Sequence, residues 1–280
     1  MTSPSGQGYG DYSDDAEVTR LRELGESALG LSFDAVEQSG GAQNMIGVRS
    51  RDTLFSRRLD SLTYFVQDNR FGVGRELGVF DGPDEELLRS CRAVLVSLGV
   101  PEAEIGDEGI VREQTQVAAF DAESGRAELE EPEPGNRYAH IGRLVDGHPV
   151  WQSGCVLGLT GDRRVGHLQL HWPELPGPAV EELRALAHRV DQDWRPPDLE
   201  GAEPESVEAG ITHSTAVGFV LDVYPAVRVV YAPTTEGMGR KPVRYLNRYG
   251  EDLPLPRAHA WDLDRIVPNL NRPDPPPEGV

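Results

Sequence analysis

The spacing of apolar and polar positions divides the chain into three helical stretches and a larger number of short strands. Val18, Leu21, Leu24 and Ala28 share one face of a helix predicted over residues 16–29. In "DGPDEELLRSCRAVLVSLGVP", Leu87, Leu88, Cys91, Val94, Leu95 and Leu98 form a stripe at helical spacing. Pro83 suits the first turn, Asp84 to Glu86 complement the helix dipole, and Gly99 provides the stop. "PGPAVEELRALAHRVDQDW" repeats the pattern, with Pro178 near its start and Val180, Leu183, Leu186, Ala187, Val190 and Trp194 as its stripe. Each of these last two helices should lie on a sheet.

The strand signals are shorter. "TLFSRRL", "SLTYFVQ" and "VGRELGVF" read as three strands, with "DNRFG" as the turn between the last two. "IVREQTQVAAFD" follows the second helix, and "RYAHIGRLVDGHPVWQSGCVLGLT" is long enough that "VDGHP" should break it in two. "GDRRVGHLQLHW" returns after a "TGD" turn. Beyond the third helix, "RPPDLEGAEPESVEAG" reads as an acidic linker, before "HSTAVGFVLDVY", "PAVRVVYAP" and "KPVRYLNRY".

Helix then antiparallel strands, given twice, predicts an α+β fold in which antiparallel sheets are each covered by an amphipathic helix. The halves would span residues 16–175 and 176–267. Residues 1–15 and the Pro-rich 268–280 are expected to be disordered tails.

Composition narrows the function. The formal charge of −20 opposes nucleic acid or an anionic membrane as partner, since both require a positive surface. Lys241 is the sole lysine, so the positive charge is almost all arginine, as a GC-rich, actinobacterial-like composition gives. No signal sequence and no long apolar run is present, and with two cysteines, Cys91 and Cys155, the expected compartment is the cytoplasm. Both thiols read as small buried apolar residues.

The stretch from Tyr138 to Leu175 carries Gly142, Asp146, Gly147, Pro149, Val150, Gly154, Gly161, Asp162, Val165 and Trp172 in an order of strands and turns, with "VYPAVRVVY" further on. It resembles the core of PepSY and fungalysin/thermolysin-propeptide modules. The resemblance implies cystatin-like halves and a propeptide, inhibitor or accessory role. The absent signal departs from a family that is usually secreted or membrane-tethered.

"RVGHLQLHWPEL" places His167, Gln169 and His171 on one strand face and Leu168, Leu170 and Trp172 on the other. His140 and His148 come from the neighbouring segment. These four histidines are the candidate acid–base residues, and His167 with His171 the candidate metal ligands. Without an HExxH or CxxC signature, a solvated polar face is the plainer account, and no cofactor is expected. "GVGRELG" lacks the helix start that a dinucleotide loop needs. Cys155 alternates with Leu157 and Leu159, which places it in the core.

Against the acidic background, Tyr224, Tyr231, Tyr245, Tyr249, Arg228, Arg240, Arg244 and Arg248 form a local basic-aromatic patch around Lys241. Tyr231, Arg240, Lys241, Arg244 and Tyr245 are the candidate partner-binding residues, and an exposed hairpin with balancing arginines is the plainer account. The expected function is a non-catalytic binding or accessory module for a peptide or protein. The alternatives are a small-molecule, natural-product tailoring enzyme working through the histidine face, and an immunity or structural protein.

Overall fold

A computed structural model of the chain describes residues 15–33, 37–41, 45–58, 61–115, 118–121, 126–129, 131–216, 219–234 and 241–253. The helices α1 (Asp15–Leu29), α2 (Asp84–Ser97) and α3 (Gly177–Gln192) lie where the apolar stripes place them. The strands dominate. β1 (Glu37–Gly41), β2 (Met45–Arg49), β3 (Thr53–Arg58) and β4 (Leu62–Asp68) form an antiparallel meander.

β4 then pairs with a strand far along the chain, β10 (Val165–Trp172), and β10 with β9 (His148–Leu159). The other edge of β9 pairs with β8 (Glu133–Val145), and β8 with β5 (Ile105–Thr115), all antiparallel. Asp146 and Gly147, both at positive φ (52° and 82°), make the two-residue turn between β8 and β9. β6 (Ala118–Asp121) and β7 (Arg126–Leu129) form a separate ribbon.

β11 (Ala202–Ala216), β12 (Phe219–Pro233) and β13 (Val243–Leu246) form a second antiparallel meander. It joins the first through one parallel backbone pair, Ile211 with Val150 of β9. The sheet thus forks: β10 borders one end of β9 and β11 the other, and eleven strands become one mixed sheet.

α1 and α2 cover one face of the first branch. Leu87, Cys91 and Leu95 of α2 are buried against Ile141, Cys155, Leu157, Leu168 and Leu170 of the strands. Each such side chain contributes about 1.5–3 kcal/mol of apolar burial. α3 covers the second branch with Leu183, Leu186 and Ala187 against Ile211, Val227, Val229 and Tyr231.

Among the described residues the fold is therefore mostly β, with three α-helices on a mixed eleven-stranded sheet. It is not the α+β pair of helix-covered, cystatin-like halves that the periodicity and the PepSY resemblance imply. One reason is the segment read as a linker. From Ala202 onward it is β11, but its inward positions pass from Ala202 to Val207, Ala209 and Ile211 across a bulge at Pro204–Ser206, which breaks the alternation. Conversely, "VGRELGVF" is a series of turns, with its Gly74 and Gly78, and Gly72 just before it, at positive φ. β1, "EQSGG", has no apolar residue to signal a strand, and β2, "MIGVR", is only five residues long, its Ile46 and Val48 buried once the meander forms.

The expected tail 1–15 lies outside the described residues except for Asp15, which opens α1, and the tail 268–280 lies wholly outside them. The boundary expected at residue 175 falls just before α3, and the strands on its two sides share one sheet.

Candidate functional site

Beyond an irregularity between Val165 and His167, β10 alternates from His167 to Trp172. Leu168, Leu170 and Trp172 enter the core under the helices, while His167, Gln169 and His171 face the other side of the sheet. Four residues of strand cover about 13 Å, so the two histidines occupy separate environments. Each must be built from its own neighbours.

His171 sits at the fork. Its cross-strand neighbours are Gly154 on β9 and Thr63 on β4. Thr63 Oγ1 lies 3.3 Å from His171 Nδ1, and Ser61 donates to that hydroxyl at 2.9 Å. From β11, His213 stacks obliquely on His171, with ring centroids 5.3 Å apart, and its Nε2 lies 3.3 Å from Ser153 Oγ. Gln152, at φ 64°, turns its amide oxygen toward β11, where it accepts from Thr212 Oγ1 at 2.8 Å and from His213 N at 3.4 Å. Ser153, His171, Thr212 and His213 are all buried.

His140 on β8 approaches the same place, its Nε2 3.5 Å from where a Cβ on Gly154 would stand. Three histidines from three strands thus gather near Gly154. Among the described residues, no three His, Cys, Asp or Glu side chains group closely enough to hold a metal ion.

His167 has an aromatic setting. Tyr138 of β8 meets it edge-on with centroids 5.3 Å apart, and Phe65 of β4 does so at 6.3 Å. Phe71, from the turn after β4, packs on Tyr138 at 6.0 Å and lies flat on the sheet. It can do so because Gly158 and Gly166 lack side chains; a Cβ at either would fall 2.7 or 2.5 Å from its ring. Burial lowers the imidazole pKa to about 4, so His167 is neutral at physiological pH. Burial, followed by the charge of Glu113, raises the Tyr138 phenol to about 12. Asn136 fixes the arrangement by donating to Tyr138 at 3.0 Å and accepting from Val73 N at 3.1 Å.

This face of the first branch lies opposite α1 and α2. Tyr138, His140, Val156, His167, Gln169 and Phe65 remain partly exposed on it. His148, at the start of β9 opposite Val145, lies at the far end of the strand and joins neither group. Cys155 is wholly buried.

The basic-aromatic patch is arranged differently from the sequence expectation. Tyr231 is a core residue with no exposure, and its hydroxyl donates to the Pro197 carbonyl at 2.9 Å. Arg244 makes a two-pronged bond to Asp252 at 2.9 and 2.7 Å, and Lys241 binds Glu205 at 2.6 Å. Arg228 and Arg248 each have a glutamate 3.8 Å away, Glu208 and Glu182. Tyr245 packs edge-on against Trp151, centroids 5.1 Å apart. Arg240 lies outside the described residues. Among the described residues each cation of the patch therefore faces a carboxylate, and Tyr231 is structural.

Ser153, Gln152, Thr63, Thr212 and His213 carried no local signal in the sequence. Only the long-range pairings β4–β10 and β9–β11 bring them together.

No protein-family model matches the chain, and no curated protein matches it. Among solved structures, it is similar to an uncharacterized protein from Eubacterium rectale ATCC 33656, at 11% identity and a TM-score of 0.45, over 88% of this chain and 83% of that one. Among the described residues, no helix is long and apolar enough to cross a membrane.

Proposed function

We propose that the protein is a non-catalytic binding module that takes a cationic peptide or protein segment on the sheet face formed by Phe65, Tyr138, His140, Val156, His167 and Gln169. The observation that carries this reading is the partly exposed aromatic surface around a histidine kept neutral by burial, on the sheet face opposite α1 and α2. Neutral aromatic faces attract arginine and lysine by cation–π contact. Glu113 beside Tyr138 and the overall charge of −20 favour the same sign of partner. Tyrosine and phenylalanine also supply large contact area at small entropic cost.

The test is fluorescence anisotropy with labelled peptides of equal length, one rich in arginine and tyrosine, one rich in glutamate and tyrosine. Binding of the first alone, weakened at least tenfold by Phe65→Ala or Tyr138→Ala and reduced by salt, supports the assignment. Equal binding of both peptides, or binding indifferent to these substitutions, refutes it.

A second reading rests on one contact, Ser153 Oγ to His213 Nε2 at 3.3 Å, which has the spacing of a nucleophile and its base. It predicts that a fluorophosphonate labels the protein and fails to label Ser153→Ala.

A further inference from the structure

The chain has two cysteines. Cys91 lies on α2 and Cys155 on β9, 64 positions apart, and the fold sets their sulfurs 3.7 Å from each other. Both thiols are fully buried, in the core that joins helix to sheet. A buried apolar site can be filled by alanine or valine; two thiols in mutual contact, with no other thiol in the chain, make a pair with its own chemistry. We propose that Cys91 and Cys155 are a redox pair that closes to a disulfide and locks α2 to β9.

A disulfide needs the sulfurs in covalent contact and the two Cβ atoms about 3.8 Å apart. Starting from 3.7 Å between sulfurs, side-chain rotation supplies the approach. The buried Leu87, Val94 and Leu95 return the helix to this position after each local opening.

With hydrogen peroxide as oxidant the step balances. One thiolate attacks a peroxide oxygen, the O–O bond breaks, and water leaves after proton uptake, which gives a sulfenic acid. The second sulfur displaces the sulfenic oxygen as water. Two thiols and one peroxide become one disulfide and two waters. Burial raises the Cys155 thiol pKa well above its ordinary value, so the thiolate forms when α2 opens locally from the sheet. Closing the bond then suppresses that opening.

The experiment compares the full chain after peroxide and after reductant, each unfolded in guanidinium, alkylated and weighed intact. The expected result is loss of both alkylation sites together, with the mass of two hydrogens removed from the monomer. The oxidised protein should melt roughly 5–10 °C above the reduced one. In Cys91→Ala and in Cys155→Ala the oxidised and reduced forms should melt together, so any cost of the substitution itself cancels. Two thiols that stay alkylatable, added oxygen in place of lost hydrogen, or an equal oxidation effect in the single variants would overturn the assignment.

Discussion

His167 makes a quantitative prediction about stability and pH. Its pKa is about 4 in the folded protein, against an unperturbed 6.5. The cause is burial, among the rings of Phe65 and Tyr138. Above pH 6.5 the imidazole is neutral in both states, so its folded environment is fully tolerated. As pH falls from 6.5 to 4 the unfolded chain takes up a proton that the folded chain refuses, and stability is lost throughout that window. At pH 5 the two values imply a loss of about 2 kcal/mol relative to pH 7.5, and partial exposure of the ring reduces this to roughly 1–2 kcal/mol. His167→Gln keeps a polar side chain at the position and removes the titration. Urea unfolding of both proteins at the two pH values isolates the effect, because the carboxylates that also titrate are common to both. The wild type should lose about 1–2 kcal/mol more than the variant on acidification. An equal loss in both proteins would show that the aromatic surround does not exclude the charged ring.

Substitutions at three further positions probe the joints of the fold. In Gly210→Ala the new Cβ would stand 2.5 Å from the Pro149 carbonyl oxygen and 2.7 Å from the Trp151 ring, so thermal melting should show a loss of about 1–3 kcal/mol. Arg143 is buried, bonds Glu104 at 2.8 Å and the Pro173 carbonyl, and lies over the Trp172 ring. Arg143→Met should cost about 2 kcal/mol in urea unfolding, because it leaves that carbonyl and the Glu104 carboxylate, which also accepts from Trp172, short of a donor. At Gln152, glycine and alanine both delete the amide that binds β11, but glycine also relieves the positive φ. Gln152→Gly should therefore be more stable than Gln152→Ala by about 1 kcal/mol, measured by the shift in urea midpoint.

The helices were legible because their signals are local. Leu87, Cys91, Val94 and Leu95 recur at helical spacing, and Pro83 and Gly99 bracket them whatever the sheet does. The two faces of β10 were equally legible, since alternation between Leu168, Leu170 and the intervening polar residues needs no knowledge of the neighbours. Strand order is a different kind of information. Nothing in "SLTYFVQ" says that Tyr64 will pair with Leu170, more than a hundred residues on, and nothing in "EAGITH" says that Ile211 will meet Val150. The acidic glutamates of β11 lie on its outer side and made a strand resemble a linker. The carboxylates that pair with the basic-aromatic patch belong to the same kind of information: Glu205 and Asp252 reach Lys241 and Arg244 only in the fold.

The buried histidine pair belongs to this second kind of information, and its position explains why. A strand that keeps one neighbour along each edge offers its side chains a regular row of cross-strand contacts. β9 has two neighbours along one edge, because β10 pairs near Gly154 and Cys155 while β11 pairs at Val150. Between these pairings, at Gln152, the backbone leaves the regular strand conformation, and the side-chain hydrogen bonds of Gln152 and Ser153 run to Thr212 and His213. His171 reaches the gap from β10 and His213 from β11, so their rings meet only where the sheet divides. The aromatic face around His167 follows from strand alternation, whereas the His171–His213 pair follows from the fork. A substitution that crowds the fork and pushes β11 from β9, such as Gly210→Ala, should disturb the second while leaving the first intact.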